Sequence, residues 1–273
     1  MCIRDRFWYY ANVYNYIHST NPDVSGMLRF LTDELFAAER ACERVWIIGH
    51  VLTGWSGHEA LDKPGNLFYQ IVSRFAPETI AAIFFGHTHQ DHFSLFYKSH
   101  NGTSAATERS VTNAIVPAFN GPSVTPLTNV NPSFRVYSVD PDTYDVLDWD
   151  QYYTPVDQFS NTRRHGPIWY HLYNARDTYG DLYASAHKGT YRGGVQLEGT
   201  KWPAHAPLNA TFWASVTVEM EARPSLIRLF SRLQSRLSPA GKTCDSDDCY
   251  KANVCYMRSG SPTLGRQCIR GIE

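Results

Sequence analysis

A chain of 273 residues with 25 Lys and Arg, 26 Asp and Glu and a formal net charge of −1 lacks the electrostatic footprint of a nucleic-acid polymer binder. Its apolar share of 43% is ordinary for a globular protein, and no apolar run approaches the ~20 residues that a membrane span needs. The length fits one large domain, or one domain with a smaller appendage.

Pro22 to Arg40 reads as a helix. Asp23 or Ser25 is placed to cap it, and Met27, Leu28, Leu31, Leu35 and Ala38 form an apolar stripe. Val45-Trp46-Ile47-Ile48-Gly49-His50 follows, a short apolar run ending in Gly-His. Such runs, rich in β-branched and aromatic residues, are expected as strands buried on both faces. Val51 to Gly65 carries Gly54, Gly57, Pro64 and Gly65, so it reads as a loop overhanging the end of that strand, with His58 within it. Asn66 to Phe75 has helical spacing, and Ile80-Ala81-Ala82-Ile83-Phe84-Phe85-Gly86-His87-Thr88-His89 repeats the apolar run ending in Gly-His. Strand, helix, strand implies a parallel pair, with both Gly-His ends at one sheet edge. That carboxyl edge is where open α/β sheets bind ligands.

After His89 the texture changes. His92 to Tyr97, Ser110 to Val116, Phe134 to Val139 and Tyr144 to Trp149 show partial period-two alternation, which predicts an antiparallel meander completing a second sheet. From about residue 151 the chain reads as helical and loop-rich. Trp169, Tyr173, Arg176 and Tyr179 stand at helical spacings, and Ala210 to Leu237 is a long helical region broken near Pro224. Arg228, Arg232 and Arg236 would form a basic stripe there, suited to anionic headgroups or to plain solvation. Of the six cysteines, Cys244, Cys249, Cys255 and Cys268 lie in a polar tail that reads as disulfide-stapled, which implies an oxidising compartment. Three pairings are open; Cys244–Cys249 with Cys255–Cys268 closes the shortest loops. The rival reading is a structural zinc, although the tail has no C-x2-C knuckle. Asn101 and Asn209 begin glycosylation sequons.

The histidines carry the chemistry. Gly-His-x-His after a buried strand directs two imidazoles towards neighbouring ion positions, and a preceding glycine lets the chain turn sharply. His50, His87 and His89 are therefore candidate metal ligands, and Asp91 is a candidate carboxylate behind them or a helper in the loop's geometry. His92 and His100 read as surface residues. No Walker loop or dinucleotide fingerprint is present, and Gly54-Trp55-Ser56-Gly57 misses a nucleophile elbow by one position.

Ile47-Ile48-Gly49-His50, then Phe84-Phe85-Gly86-His87-Thr88-His89-Gln90-Asp91-His92-Phe93, then Asn131-Pro132-Ser133-Phe134-Arg135-Val136-Tyr137 resemble acid sphingomyelinase and its phosphodiesterase relatives, members of the calcineurin-like metallophosphoesterases. The resemblance runs from about Phe7 to Cys268. It implies a four-layer αββα sandwich, of which residues 7–150 would form the C-terminal half, followed by a helical, disulfide-stapled region over 151–273. It also implies two zinc ions in the complete enzyme, His50 and His87 on one and His89 on the other, with local pairing of the tail cysteines. A phosphodiester substrate such as sphingomyelin or another phospholipid, and a secreted or lysosomal location with contact at the membrane surface, follow from the same resemblance. A nucleotide phosphodiesterase of the family and a non-catalytic binding module are the alternatives.

The departures are specific. The family's Asp-x-His, Gly-Asp and Gly-Asn-His-Glu/Asp motifs, which supply the other ligands and a proton donor, have no counterpart in place here, so the isolated chain is expected to be inactive. Leu127 stands where some relatives carry an aromatic residue, which weakens a choline preference.

Overall fold

The computed structural model describes residues 8–9, 20–98, 109–161, 166–182 and 201–270. Asn101, His100 and residues 183–200 lie outside them. Two sheets organise the fold. The first has the order β1-β2-β4-β3, built from Val45–Ile48 (β1), Ile80–Phe85 (β2), His92–Tyr97 (β3) and Ala114–Asn120 (β4). β1 and β4 both run parallel to β2, and β3 runs antiparallel to β4. The carboxyl ends of β1, β2 and β4 therefore share an edge with the start of β3, where His92 stands opposite Asn120. The second sheet is an antiparallel meander of Ser133–Val139 (β5), Val146–Tyr153 (β6) and Tyr170–Asn174 (β7).

Helices α1 (Met27–Ala41) and α2 (Asp62–Phe75) precede β1 and β2. Phe68 of α2 packs on Phe85 and Phe96 at centroid distances of 6.1 and 6.0 Å, and Tyr69 packs on Phe96 at 5.0 Å. The opposite face of the sheet meets the meander: Phe84 touches Tyr137 at 5.1 Å and Phe119 touches Trp149 at 5.2 Å. Helix α4 (Ala210–Ala222) is largely buried and inserts Trp213 among these rings, stacked on Trp149 at 5.1 Å and packed on Phe93 at 4.6 Å. Short helix α3 (Ala175–Tyr179) follows β7, and α5 (Pro224–Gln234), α6 (Asp247–Met257) and α7 (Pro262–Gly265) complete the chain. The mixed α/β architecture with a helical tail, and both local disulfides, Cys244–Cys249 and Cys255–Cys268, agree with expectation. Among the described residues no helix is long and apolar enough to cross a membrane.

Several local expectations are corrected. Helix α1 starts at Met27 rather than Pro22; Asp23 stays outside and accepts the Leu28 and Arg29 amides on its two carboxylate oxygens, so it caps from the preceding turn. Helix α2 starts at Asp62 and contains Pro64 and Gly65. Pro64 costs little in a first turn, where its missing N–H would have had no partner. Gly65 is required by packing, since a Cβ there would lie 2.4 Å from Pro262 Cγ.

The loop expected to overhang the end of β1 reaches His87 through Glu59, while its residues 51–57 are buried beneath the tail: Trp55 donates its amide to Ser259 O, and a Cβ on Gly54 would lie 2.1 Å from that oxygen. Strands β3 and β4 join the first sheet, not the second, because β2 offered an open edge for parallel pairing. The predicted helix over Trp169 to Tyr179 is a strand followed by one helical turn; the ladder bonds offered by β6 outweigh a helical spacing too short to stand alone. Strand β6 itself runs through residue 150 to Tyr153.

Candidate metal centre

His50 follows β1 and His87 follows β2, and the parallel pairing brings them together as anticipated. His50 Nε2 and His87 Nδ1 are 3.4 Å apart, with the rings nearly perpendicular at 79°. Two imidazoles bound to one tetrahedral ion through bonds of ~2.0–2.1 Å hold their nitrogens about 3.3–3.4 Å apart. The spacing fits two ligands on one such ion, and it fits a direct imidazole–imidazole hydrogen bond as well.

The turn that presents the histidines is backbone-strained. His87 and His89 adopt φ of 72° and 62°, a region that L residues occupy at a cost of roughly 1–3 kcal/mol each. The glycines do not carry this geometry. Gly86 has no positive φ, and a Cβ on it would only touch His50 Nδ1 at 3.6 Å.

The strain is held by surrounding polar contacts. Gly86 N–H donates to His50 O, and Asn120 Nδ2 donates to Thr88 Oγ1 and Gln90 O at 2.9 and 2.6 Å. Arg236 approaches from beyond α5 and donates to the carbonyls of His89, Asn131 (2.8 Å) and Gln234. It is wholly buried with φ 53°, so it is not part of a basic surface stripe. The chain leaves the helix at Gln234 and turns Arg236 inward. Burial pushes its guanidinium down to about 10, opposed by Asp91, so it remains cationic at neutral pH.

Asp91 is buried and binds Arg135 and Tyr173, the latter at 2.7 Å. Its carboxylate thus ties the histidine turn to the second sheet, which accords with the expected alternative of a helper in loop geometry. Arg135 lies over the Trp149 ring at 4.2 Å. Burial lowers the Arg135 pKa, but Asp91 and the tyrosine hydroxyls outweigh it and hold the pKa above the usual value.

His92 is no surface residue: it is 2% exposed and stacks on Trp55 at 4.0 Å, with Nε2 3.0 Å from Thr88 Oγ1. Burial, reinforced by Arg135, pushes its pKa down to about 3, so it stays neutral. His89 lies in the same turn, with its Nδ1 buried and lacking a hydrogen-bond partner.

The carboxylate that meets a ligand candidate is Glu59, whose Oε2 lies 2.9 Å from His87 Nε2. Sequence patterning gave no reason to select it, since residues 57–61 have no periodicity; Gly54, Gly57, Pro64 and Gly65 marked the segment only as a loop. Among the described residues, no cluster of three or more His, Cys, Asp or Glu side chains has metal-binding geometry. The two imidazole nitrogens could serve as two ligands of a zinc-type ion, and the described residues group no third His, Cys, Asp or Glu with them.

No family model matches the chain. It is 31% identical to the sphingomyelin phosphodiesterase of Bos taurus over 280 residues, an alignment covering 98% of this chain and 36% of the bovine protein. The Homo sapiens sphingomyelin phosphodiesterase is 36% identical over 215 residues, covering 74% of this chain and 30% of its own length. Sphingomyelin phosphodiesterase 1 of Caenorhabditis elegans is 32% identical over 171 residues, 62% of this chain and 28% of its own length.

The chain belongs to the acid sphingomyelinase-like family. It spans about a third of the length of the curated relatives it matches. In this acid sphingomyelinase-like chain, the paired histidine turns sit at the carboxyl edge of the first sheet, and the disulfide-stapled tail packs over the loop that follows His50.

Proposed function

We propose that this chain contributes part of the metal centre of a phosphodiesterase acting on a phospholipid such as sphingomyelin. The observation that carries the reading is the 3.4 Å convergence of His50 Nε2 and His87 Nδ1 at a parallel sheet edge. By resemblance to the family, His50 and His87 hold one zinc ion and His89 the other, and imidazole is a ligand that zinc accepts. Such ions, when bound, neutralise phosphodiester charge and activate water for in-line attack.

The chain's own residues orient the imidazoles: Asn120 and Arg236 fix the turn, and Asp91 joins it to the second sheet through Arg135. Each divalent ion wants about four ligands, so three imidazoles are too few for two ions. We accordingly propose that the remaining ligands and the proton donor lie in sequence beyond these 273 residues, and that the chain alone is inactive. Open sites on the sheets accord with this: β1 and β5 are edge strands whose Ile48 and Val136 are 43% and 52% exposed. The two disulfides support an oxidising compartment, secreted or lysosomal. Asn209 is exposed and remains a candidate glycosylation site, as does Asn101 by sequence. Membrane-surface contact is part of the proposal through its substrate, but Arg236 does not contribute to it.

The test measures zinc content and hydrolysis of a chromogenic phosphodiester, for the wild type and for His87→Ala with His89→Ala. Zinc that is retained by the wild type and lost in the variant supports the centre. Robust hydrolysis by the isolated chain would overturn its predicted incompleteness. A non-catalytic binding module, with the histidines structural or holding one ion, is the second reading; absence of zinc from the wild type would count against a metal site in this chain without deciding between an incomplete enzyme and such a module.

A further inference from the structure

We propose that Glu59 is a positioning residue for His87, holding the imidazole so that its Nδ1 lone pair faces the ion shared with His50. This rests on the metal-centre reading above and adds to it a residue of the loop after His50.

The two ring nitrogens of His87 face two different partners. His87 Nε2 is 2.9 Å from Glu59 Oε2, and His87 Nδ1 is 3.4 Å from His50 Nε2. A carboxylate only accepts hydrogen bonds, so a neutral His87 must carry its proton on Nε2 to satisfy Glu59. Nδ1 is then the unprotonated nitrogen, and it points at His50. The tautomer needed to ligate an ion is thus selected from the far side of the ring. Carboxylate–histidine–metal arrangements of this kind fix ring orientation and raise ligand basicity.

Glu59 can impose this because its own backbone is pinned on both sides. Arg266 donates from Nε to Gly57 O at 2.9 Å and from Nη2 to Ala60 O at 2.8 Å. Gly57 holds φ +73°, and a Cβ there would lie 2.3 Å from Pro262 O, so the loop is pressed against the tail with no room to shift. Ala60 bridges Tyr9, whose ring packs edge-on against His87 at 4.8 Å. Arg266 lies between α7 and Cys268, which is bonded to Cys255. The stapled tail therefore reaches the ligand histidine through Arg266, the 57–60 loop and Glu59. A plain surface ion pair would need none of this support.

Two measurements on the full chain decide it. Zinc affinity is obtained by competition with a chromogenic chelator for the wild type, Glu59→Ala, Glu59→Gln and His87→Ala. The His87 tautomer is read from two-bond ¹⁵N–¹H correlations in the metal-free protein. The wild type is expected to show the Nε2–H tautomer alone, and Glu59→Ala a mixture, with zinc affinity lowered about 10–100-fold. Glu59→Gln retains an acceptor oxygen, so it should keep the tautomer and fall between them in affinity. If Glu59→Ala lowers the thermal midpoint, the comparison is decided by Glu59→Gln, whose shape is native.

Wild-type zinc affinity in both Glu59 variants, or a wild-type His87 protonated on Nδ1, would overturn the proposal alone, provided His87→Ala still loses zinc. Zinc uptake absent from the wild type, or unchanged in His87→Ala, would overturn the metal centre and this proposal with it.

Discussion

Replacing Asp91 with Asn tests whether the buried charge cluster, rather than the histidines, anchors the turn. Asp91 and Arg135 side chains are 7% and 3% exposed, and Tyr173 donates a further hydrogen bond at 2.7 Å. Asn keeps the shape and one acceptor oxygen but leaves Arg135 as an uncompensated buried cation, with Arg236 nearby. Removing one partner of a buried pair costs about 3–5 kcal/mol. At roughly 2–4 °C per kcal/mol for a chain of this size, the thermal midpoint should fall by about 6–20 °C. Chemical denaturation of wild type, Asp91→Asn, Arg135→Met and the double variant gives the full cycle. Arg135→Met also removes the guanidinium from the Trp149 face, so part of its cost is unrelated to Asp91. The double variant leaves no unpaired charge at position 135, whereas Arg236 loses Asp91 equally in the single and double variants, and it should cost at least about 2 kcal/mol less than the sum of the singles. Additivity within about 0.5 kcal/mol would refute the assignment of Asp91 as the charge partner of Arg135.

Three further outcomes follow from the same geometry. His92 titrates at about 3 when folded against 6.5 when unfolded, so between those values the unfolded chain binds the extra proton and stability should fall on acidification by up to about 1.4 kcal/mol per pH unit. His92→Phe, which can keep the stack on Trp55, should flatten that part of the profile measured by urea unfolding from pH 7 to 3; an unchanged slope would contradict the burial argument. Replacing Cys255 and Cys268 by Ser opens a loop with a separation of 13 and should cost about 3 kcal/mol, against about 2 for Cys244 and Cys249, whose separation is 5. Asn209 caps α4 through a bond from the Phe212 amide at 3.1 Å, so Asn209→Ala should cost about 1 kcal/mol in thermal unfolding.

Much of the frame was legible in the chain because it depends on local rules. Unbroken apolar runs marked β1 and β2, helical spacing marked α2 between them, and that order required a parallel pair with both Gly-His ends together. Pro224 marked the break between α4 and α5, and the short loops of the tail favoured the observed cysteine pairing. The Gly-His turns themselves were found by residue type and position alone.

Partner choice was the part that local rules could not settle. Strand β4 turned to the open edge of β2, and residues 170–174 became a strand because β6 offered ladder bonds. His92 and Arg236 looked solvent-facing by composition, and only packing from Trp55 and from the turn after α5 made them interior. Likewise, Asp91 faces Arg135, while Glu59 faces His87 across 28 residues. The sequence by itself determined which edge of the sheet carries the imidazoles, since strand direction follows from element order. Tertiary structure alone decided which carboxylate meets which charge, because those pairings join segments whose separation no periodicity encodes.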